Sequence, residues 1–230
     1  MSRVDPSMQV TVALVLVLCS QAPAAAVNLS TWSNLDQALR TSATLSCSYL
    51  RATTENGVTT VEKYTPGGAM NWSLVSVEGR APSKSDLDDY PKYLDRRLAD
   101  RESPIWLDVA KTVVAGSVTQ TKGEDGSIDY RFRVAAKTPE LVEVTKAVEG
   151  SLHTPIDDPA EIEFVLINTR PVAYSLGFKV TNYHREVQLS WQPNLGAYFR
   201  TRESTLVEGK LMGLKSISIL TEVRYFDFEC

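Results

Sequence analysis

Three aspartates, Asp86, Asp88 and Asp89, stand just after the turn Gly79-Arg80-Ala81-Pro82. Grouped carboxylates beside a guanidinium can hold a divalent cation or share a proton in acid–base chemistry. A calcium loop, however, needs oxygen ligands at alternating positions, a central glycine and a closing glutamate. Here Leu87 and Tyr90 interrupt the acids at helical spacing. The acids therefore read as the first turns of a helix, whose dipole favours negative charge there. The two histidines, His153 and His184, belong to no HxH or HExxH set and read as surface or strand-end residues. No GxSxG elbow is present, and no glycine pattern has phosphate-cradle spacing. Cys47 lies in a strand-like run, where a disulfide is a better use for it than nucleophilic attack. No catalytic residue, metal ligand or cofactor is expected, and an enzyme is the least supported reading.

The elements that carry these residues follow from periodicity and turn chemistry. "STWSNLDQALR" reads as a short helix capped by Ser30 or Thr31, with Leu35, Ala38 and Leu39 on one side. "TLSCSYLRAT" and "GVTTVEKYT" read as strands joined by a hairpin at Thr54 to Gly57. "AMNWSLVSVEG" reads as a third strand, and "TPGG" before it as a loop. Ser83 with Asp86 three residues on fits a helix N-cap; Arg96, Arg97 and Arg101 then complement the helix C-terminus. Leu87, Tyr90 and Leu94 form a narrow apolar stripe, with Asp88, Asp89 and Lys92 toward water. Pro91 predicts a kink or break in this helix. "SPIWLDVAKTVV" reads as another short helix, with Pro104 at its first position.

From Ala115 onward the chain alternates and is rich in Val, Ile, Tyr, Phe and Thr. "GSVTQTKGEDGSIDYRFRVA" reads as two strands about Glu124-Asp125-Gly126. "PELVEVTKAVEGSLH", "AEIEFVLINTR", "PVAYSLGFKVTNY", "HREVQLSWQ", "GAYFRTRESTLVEGKLMG" and "LKSISILTEVRYFDF" read as further strands. Turn clusters at Thr154 to Pro159, Pro193 to Gly196 and Glu208-Gly209 separate them, and short connections imply antiparallel neighbours. The fold class is mainly β, with helix concentrated in an early insert. A long twisted sheet must curl, so the expectation is a strongly curved antiparallel sheet with a few short helices on its inside. Val142, Val144, Phe164, Leu166, Val187, Leu189, Trp191, Ile217, Ile219, Val223 and Tyr225 belong to the apolar sides of the strands. Short helices offer few large side chains against that set, so either the strands close on themselves or an apolar hollow remains.

The 230 residues carry a net charge of −4, with 43% apolar and 23% charged, ordinary globular composition. There is no basic stripe, so nucleic acid is not an expected partner. The start has Arg3, an apolar run from Val10 to Leu18 and the small residues Ala24-Ala25-Ala26. This is the order of a cleaved signal peptide, residues 1–26, with translation starting at Met1 or Met8. The run is too short for a membrane span, and Leu18 before Cys19 does not suit a lipoprotein signal. The remaining chain, 27–230, suits one exported domain. Its two cysteines, Cys47 and Cys230, make a disulfide candidate in an oxidising compartment.

Two stretches resemble a known family: "YTPGGAMNWSLVSVEGRAPS" from Tyr64, and "EIEFVLINTRPVAYSLGFKVTNYHREVQLSW" from Glu161. They are similar to the LolA-like superfamily of periplasmic lipoprotein carriers and RseB N-terminal-like domains. The nearest likeness is to uncharacterised exported proteins of Gram-negative bacteria. The resemblance covers nearly all of residues 27–230. It implies an unclosed half-barrel sheet with helices plugging its concave side, and a cavity for acyl chains. The implied lining is Phe164, Leu166, Val187, Leu189, Trp191, Ile217, Ile219 and Tyr225, with Leu87, Tyr90 and Leu94 as lid. Such carriers fasten the lid with an arginine on an inner strand, for which Arg170 and Arg185 are the candidates. The long charged insert from Ser83 to Glu102 departs from the family pattern and bears on the ligand mouth. The expected function is periplasmic binding or carriage of a lipid or other apolar ligand, with peripheral membrane contact. The rival is an envelope protein-interaction or stress-sensing module whose cavity is filled by side chains.

Overall fold

The computed structural model describes residues 31–42, 45–67, 71–96, 112–136, 141–155, 160–175 and 177–230. The segment 1–26 expected to be a signal peptide, the helix expected from Ser103 through its first turns, Arg97, Arg101 and most of the turn from Thr154 to Pro159 lie outside these residues.

Helix α1 spans Trp32–Ser42. Thr31 caps it, its Oγ1 accepting from the Asn34 amide at 3.3 Å. Strands β1 (Ser48–Glu55) and β2 (Val58–Tyr64) follow. They meet at Asn56 and Gly57, whose φ angles of 51° and 80° are those a twisted two-residue hairpin demands. β3 (Trp72–Val77) leads to helix α2 (Lys84–Arg96). α2 does not break at Pro91, which lies inside it. Pro91 lies on the exposed side, so the Leu87 carbonyl that it deprives of a donor faces water.

β4 (Thr119–Lys122) and β5 (Ile128–Arg133) form the next hairpin. The alternating "VEVT" is not strand but the one-turn helix α3 (Val142–Thr145), because Lys146 and Ala147 turn back onto the Val142 and Val144 carbonyls. The strand of that run is β6 (Val148–Thr154), followed by β7 (Glu161–Asn168) and β8 (Val172–Ser175).

Three strands of 15 residues complete the chain: β9 (Phe178–Gln192), β10 (Ala197–Leu211) and β11 (Lys215–Glu229). The expected separation of "NY" from "HRE" is absent; Phe178 to Gln192 is continuous. Glu208-Gly209 is likewise within β10 and not a turn. There the β9 backbone passes so close that a side chain at 209 would meet the Lys179 carbonyl.

The eleven strands make one antiparallel sheet in the order β3-β2-β1-β11-β10-β9-β7-β6-β5-β4, with β8 paired to β9. Its ends do not pair with each other, so the sheet is unclosed. Directly opposed residues share a face. Thr53, Val223, Glu203, Val187, Phe164, Leu152 and Tyr130 form one such row across seven strands. This face carries the buried side chains. The other face carries Glu161, Glu163, Glu186, Gln188, Arg202, Glu222 and Arg224, in register with one another.

Three apolar clusters cover the buried face. In the first, Leu35 and Leu39 of α1 pack among Ile128, Tyr130, Phe132, Leu152, Ile162, Phe164, Leu166, Val187, Leu189 and Tyr198. Trp32 lies 5.5 Å from the Tyr130 ring. In the second, Tyr90 of α2 packs with Tyr49, Trp72, Phe199, Val223 and Tyr225. The third joins Ala147, Val172 and Val180, with Val144, Phe178, Tyr183 and Val207 against them.

β11 connects the β1–β3 group to the rest, and a Cys47–Cys230 disulfide closes the open end of that junction. Such bridges persist in oxidising compartments. The bridge spans 183 residues of sequence, for which the chain-entropy model gives about 5 kcal/mol and experience with native bridges ~2–5 kcal/mol. Thiol labelling of unfolded, unreduced protein is expected to find neither Cys47 nor Cys230 free. Reduction, or Cys47→Ser, is expected to lower the denaturant midpoint by a corresponding amount. Two labelled thiols with an unchanged midpoint would contradict the bridge.

Candidate functional site

The chemistry of the buried face centres on a pair that strand alternation conceals. Arg51 on β1 and Glu62 on β2 are direct cross-strand partners, and their side chains are 2% and 0% exposed. Arg51 donates through Nε and Nη2 to Glu62 Oε2 at 3.1 and 2.8 Å. Its guanidinium lies 3.9 Å from the centroid of the Trp72 ring, a cation–π stack on β3. The other carboxylate oxygen, Oε1, accepts from the Tyr90 hydroxyl at 2.8 Å. Tyr90 thus bonds α2 to the sheet. Burial, and then the Glu62 charge, push its phenol far above the ordinary range, so it remains a donor.

The start of α2 is held separately. Ser83 Oγ accepts from the Asp86 amide, and Asp86 Oδ2 accepts from the Ser83 amide and hydroxyl at 2.8 and 2.7 Å, a reciprocal cap. Arg80 donates to the same oxygen at 2.7 Å. The Arg80 bond, followed by the two from Ser83, lowers the Asp86 carboxyl to about 2. Asp86 is a helix cap, and Asp88 and Asp89 are exposed on the helix surface.

Along the stripe, Tyr90 is buried and Leu94 half-buried in the second cluster, whereas Leu87 is 52% exposed. Tyr93 takes the place that spacing gave to Leu87, packing against that cluster and lying 6.2 Å from Tyr90. The first turn is tied to the preceding loop by Arg80 and Ser83, and the helix meets the sheet from Tyr90 onward. Asp88, Asp89 and Lys92 are exposed.

The eight residues expected to line a hollow fall in three places. Phe164, Leu166, Val187 and Leu189 are buried in the first cluster, with Trp191 against it. Tyr225 is in the second. Ile217 and Ile219, opposite Gly209 and Val207, belong to none of the clusters.

Of the two candidate lid-fastening arginines, Arg170 is exposed in the loop after β7. Arg185, on β9, donates to Glu203 of β10 at 2.8 Å, and Arg200 reaches the same carboxylate at 3.1 Å. Burial opposes ionisation of Glu203, but Arg185 and Arg200 outweigh it and hold the carboxyl below its ordinary value. This triad ties strand to strand. The strand arginine that reaches α2 through Glu62 is Arg51. Its signal was in the sequence: with Asn56-Gly57 as the turn, hairpin register sets position 51 against position 62, an opposite-charge pair beside the pair Tyr49 and Tyr64.

His153 and Asp129 face each other across β6 and β5, Nδ1 to Oδ1 2.8 Å, both partly exposed. His184 is exposed. Among the described residues no cluster of His, Cys, Asp or Glu is arranged to hold a metal ion, and no helix is long and apolar enough to cross a membrane. No family model, curated protein or solved structure matches the chain.

The buried pair generates an ordered set of stabilities. Glu62→Ala strands the Arg51 charge and is expected to cost roughly 3–5 kcal/mol. Tyr90→Phe removes one hydrogen bond to a charged group and is expected to cost about 1.5–3 kcal/mol. In the combined variant the costs should fall well short of additive, because Glu62 is the shared partner. Urea denaturation of the two single variants and the double variant measures this, and additive losses would show that Tyr90 and Glu62 do not act together.

Proposed function

We propose that this is an exported, non-enzymatic binding protein for an apolar ligand of acyl-chain type, held on the apolar face of the open sheet beneath α2. The observation that carries the reading is the contrast between the two helix covers. Under α1, Leu35 and Leu39 of the helix itself are inaccessible, together with Ile162, Phe164 and Val187, while Trp32, Ala38 and Trp191 are half-buried around them. Under α2 the cover is thin. Tyr90 alone of its apolar side chains is fully buried, and Leu45, Tyr64, Leu74, Tyr93, Leu94 and Phe228 are half-buried around it. A helix so placed is a lid, and the Tyr90 bond to Glu62 is a polar fastening of it.

Energetics support the assignment of ligand class. Each methylene buried contributes about 0.8 kcal/mol, so a chain of roughly a dozen carbons outweighs the loss of one fastening hydrogen bond. The LolA-like resemblance supports the same class and a periplasmic location, with curvature of the sheet and the lid role as its expectations. On this reading the lid residues are Tyr90, Tyr93 and Leu94, and the fastening arginine is Arg51 acting through Glu62.

The sealed packing under α1 favours a second reading, an envelope protein-interaction or stress-sensing module whose core is filled by its own side chains.

The two readings separate on protein purified without detergent. The acyl-ligand reading expects fatty acid or phospholipid in organic extracts by mass spectrometry. It also expects a fluorescent fatty-acid probe to compete with that lipid, and Tyr93→Ser with Leu94→Ser to alter probe affinity while the sheet stays folded by far-UV circular dichroism. Clean extracts and no probe binding by the folded protein would overturn it in favour of the interaction module.

A further inference from the structure

We propose that the tip of the β10–β11 hairpin, with Tyr174 and Lys179 nearby, forms a docking edge for an anionic lipid bilayer. The inference goes beyond the acyl-ligand reading and does not depend on it.

Register shows that the edge protrudes. β7 pairs with β9 no further than His184, and β1 pairs with β11 no further than Thr221. Residues 178–183 of β9 and 215–220 of β11, with 206–211 of β10 between them, run on past those neighbours. Six residues of strand reach about 20 Å. The β10–β11 tip is clipped to the start of β9, the Met212 amide donating to the Gly177 carbonyl.

The end of this tongue is apolar and in water. Leu214 is 91% exposed, Met212 77% and Tyr174 59%, with Leu211 beside them. Scattered exposed apolar residues need no explanation, but a contiguous group on a projecting turn marks a contact surface. The turn itself gives a second sign. Met212 has φ 50° and Gly213 φ 72°, and Leu214 N–H bonds back to the Leu211 carbonyl at 3.1 Å. Such a turn favours Asn-Gly; a bulky methionine at positive φ is disfavoured by its backbone. Neither solubility nor local conformation selects Met212, whereas burial in a partner does.

Charge identifies the partner. The chain has 28 acidic residues; the tongue holds Glu208, which accepts from Asn182 and Ser218, and none lies in 171–181 or 209–221. Those segments carry Lys179, Lys210 and Lys215. Lys179 and Lys210 are direct cross-strand partners. Like charges so placed repel, and among the described residues none of the three lysines has a carboxylate partner. An apolar wedge ringed by unpaired lysines fits the boundary between anionic headgroups and acyl chains.

Vesicle co-sedimentation of the full chain tests the proposal, with phosphatidylcholine vesicles with and without phosphatidylglycerol. Binding is expected with phosphatidylglycerol and to weaken with salt. Met212→Asn with Leu214→Asn should reduce affinity about tenfold or more. Because asparagine suits the turn, the thermal midpoint should hold or rise. Lys179→Gln, Lys210→Gln and Lys215→Gln together should reduce affinity on the order of a hundredfold at low salt. Failure of the folded protein to sediment with phosphatidylglycerol vesicles would overturn the proposal, as would undiminished binding by the tip variant. A concentration-dependent dimer abolished by the tip variant, with no vesicle binding, would assign the edge to a second copy of the chain instead.

Discussion

Glu62 is a carboxylate cut off from water, and the β1–β3 end of the sheet is arranged around it. A buried charge is tolerated only when paired and hydrogen-bonded. Here Arg51 supplies two donors from the neighbouring strand, Tyr90 supplies a third from α2, and Trp72 gives Arg51 an aromatic floor. Buried pairs add little net stability over apolar residues of the same size, but they penalise every arrangement that leaves them unpaired. In this protein that penalty selects one rotation of α2. A helix whose apolar stripe is only Tyr90, Tyr93 and Leu94 could settle on a sheet in several ways. The Glu62 oxygen that needs Tyr90 leaves one.

The same face is covered unevenly along the sheet, and the unevenness follows from what lies over it. α1 contributes two buried leucines and a half-buried tryptophan to a cluster with aromatic and branched strand residues. α2 contributes one buried tyrosine and two half-buried residues. Beyond both, the long strands β9 to β11 project and carry apolar side chains directly into water. On the proposed reading this order is functional: a permanent core, a cover that opens, and an edge that meets a membrane.

Much of the architecture was legible because the local signals agreed. Asn56-Gly57 placed the first hairpin, Ser83 and Asp86 placed the start of α2, and period-two patterns marked the sheet. The Cys47–Cys230 pairing followed from two cysteines in a chain expected to be exported. The errors have physical causes. "VEVT" alternates like a strand, but the turn that follows it closes one helical bond pattern instead. Glu208-Gly209 has turn composition, yet the glycine is there because β9 passes too close for a side chain. Leu87 fits the helical stripe, but the cap at Asp86 ties its turn to the loop. The site was the least legible part. Arg51 and Glu62 have the composition of solvent-facing strand residues, and only the register of the hairpin together with the flanking tyrosines distinguishes them. Ile217 and Ile219 look like core by alternation. They pair with β10 but lie past the last β1 partner of β11 and, among the described residues, belong to none of the apolar clusters.

The central claim is that α2 is a separable cover held by the bond between Tyr90 and Glu62, and amide hydrogen exchange of Tyr90→Phe against the natural protein tests it most directly. The account predicts faster exchange in Lys84–Arg96, with protection in β9 and β10 unchanged. Equal loss of protection across α2, β9 and β10 would contradict it, because α2 would then be an inseparable part of the core.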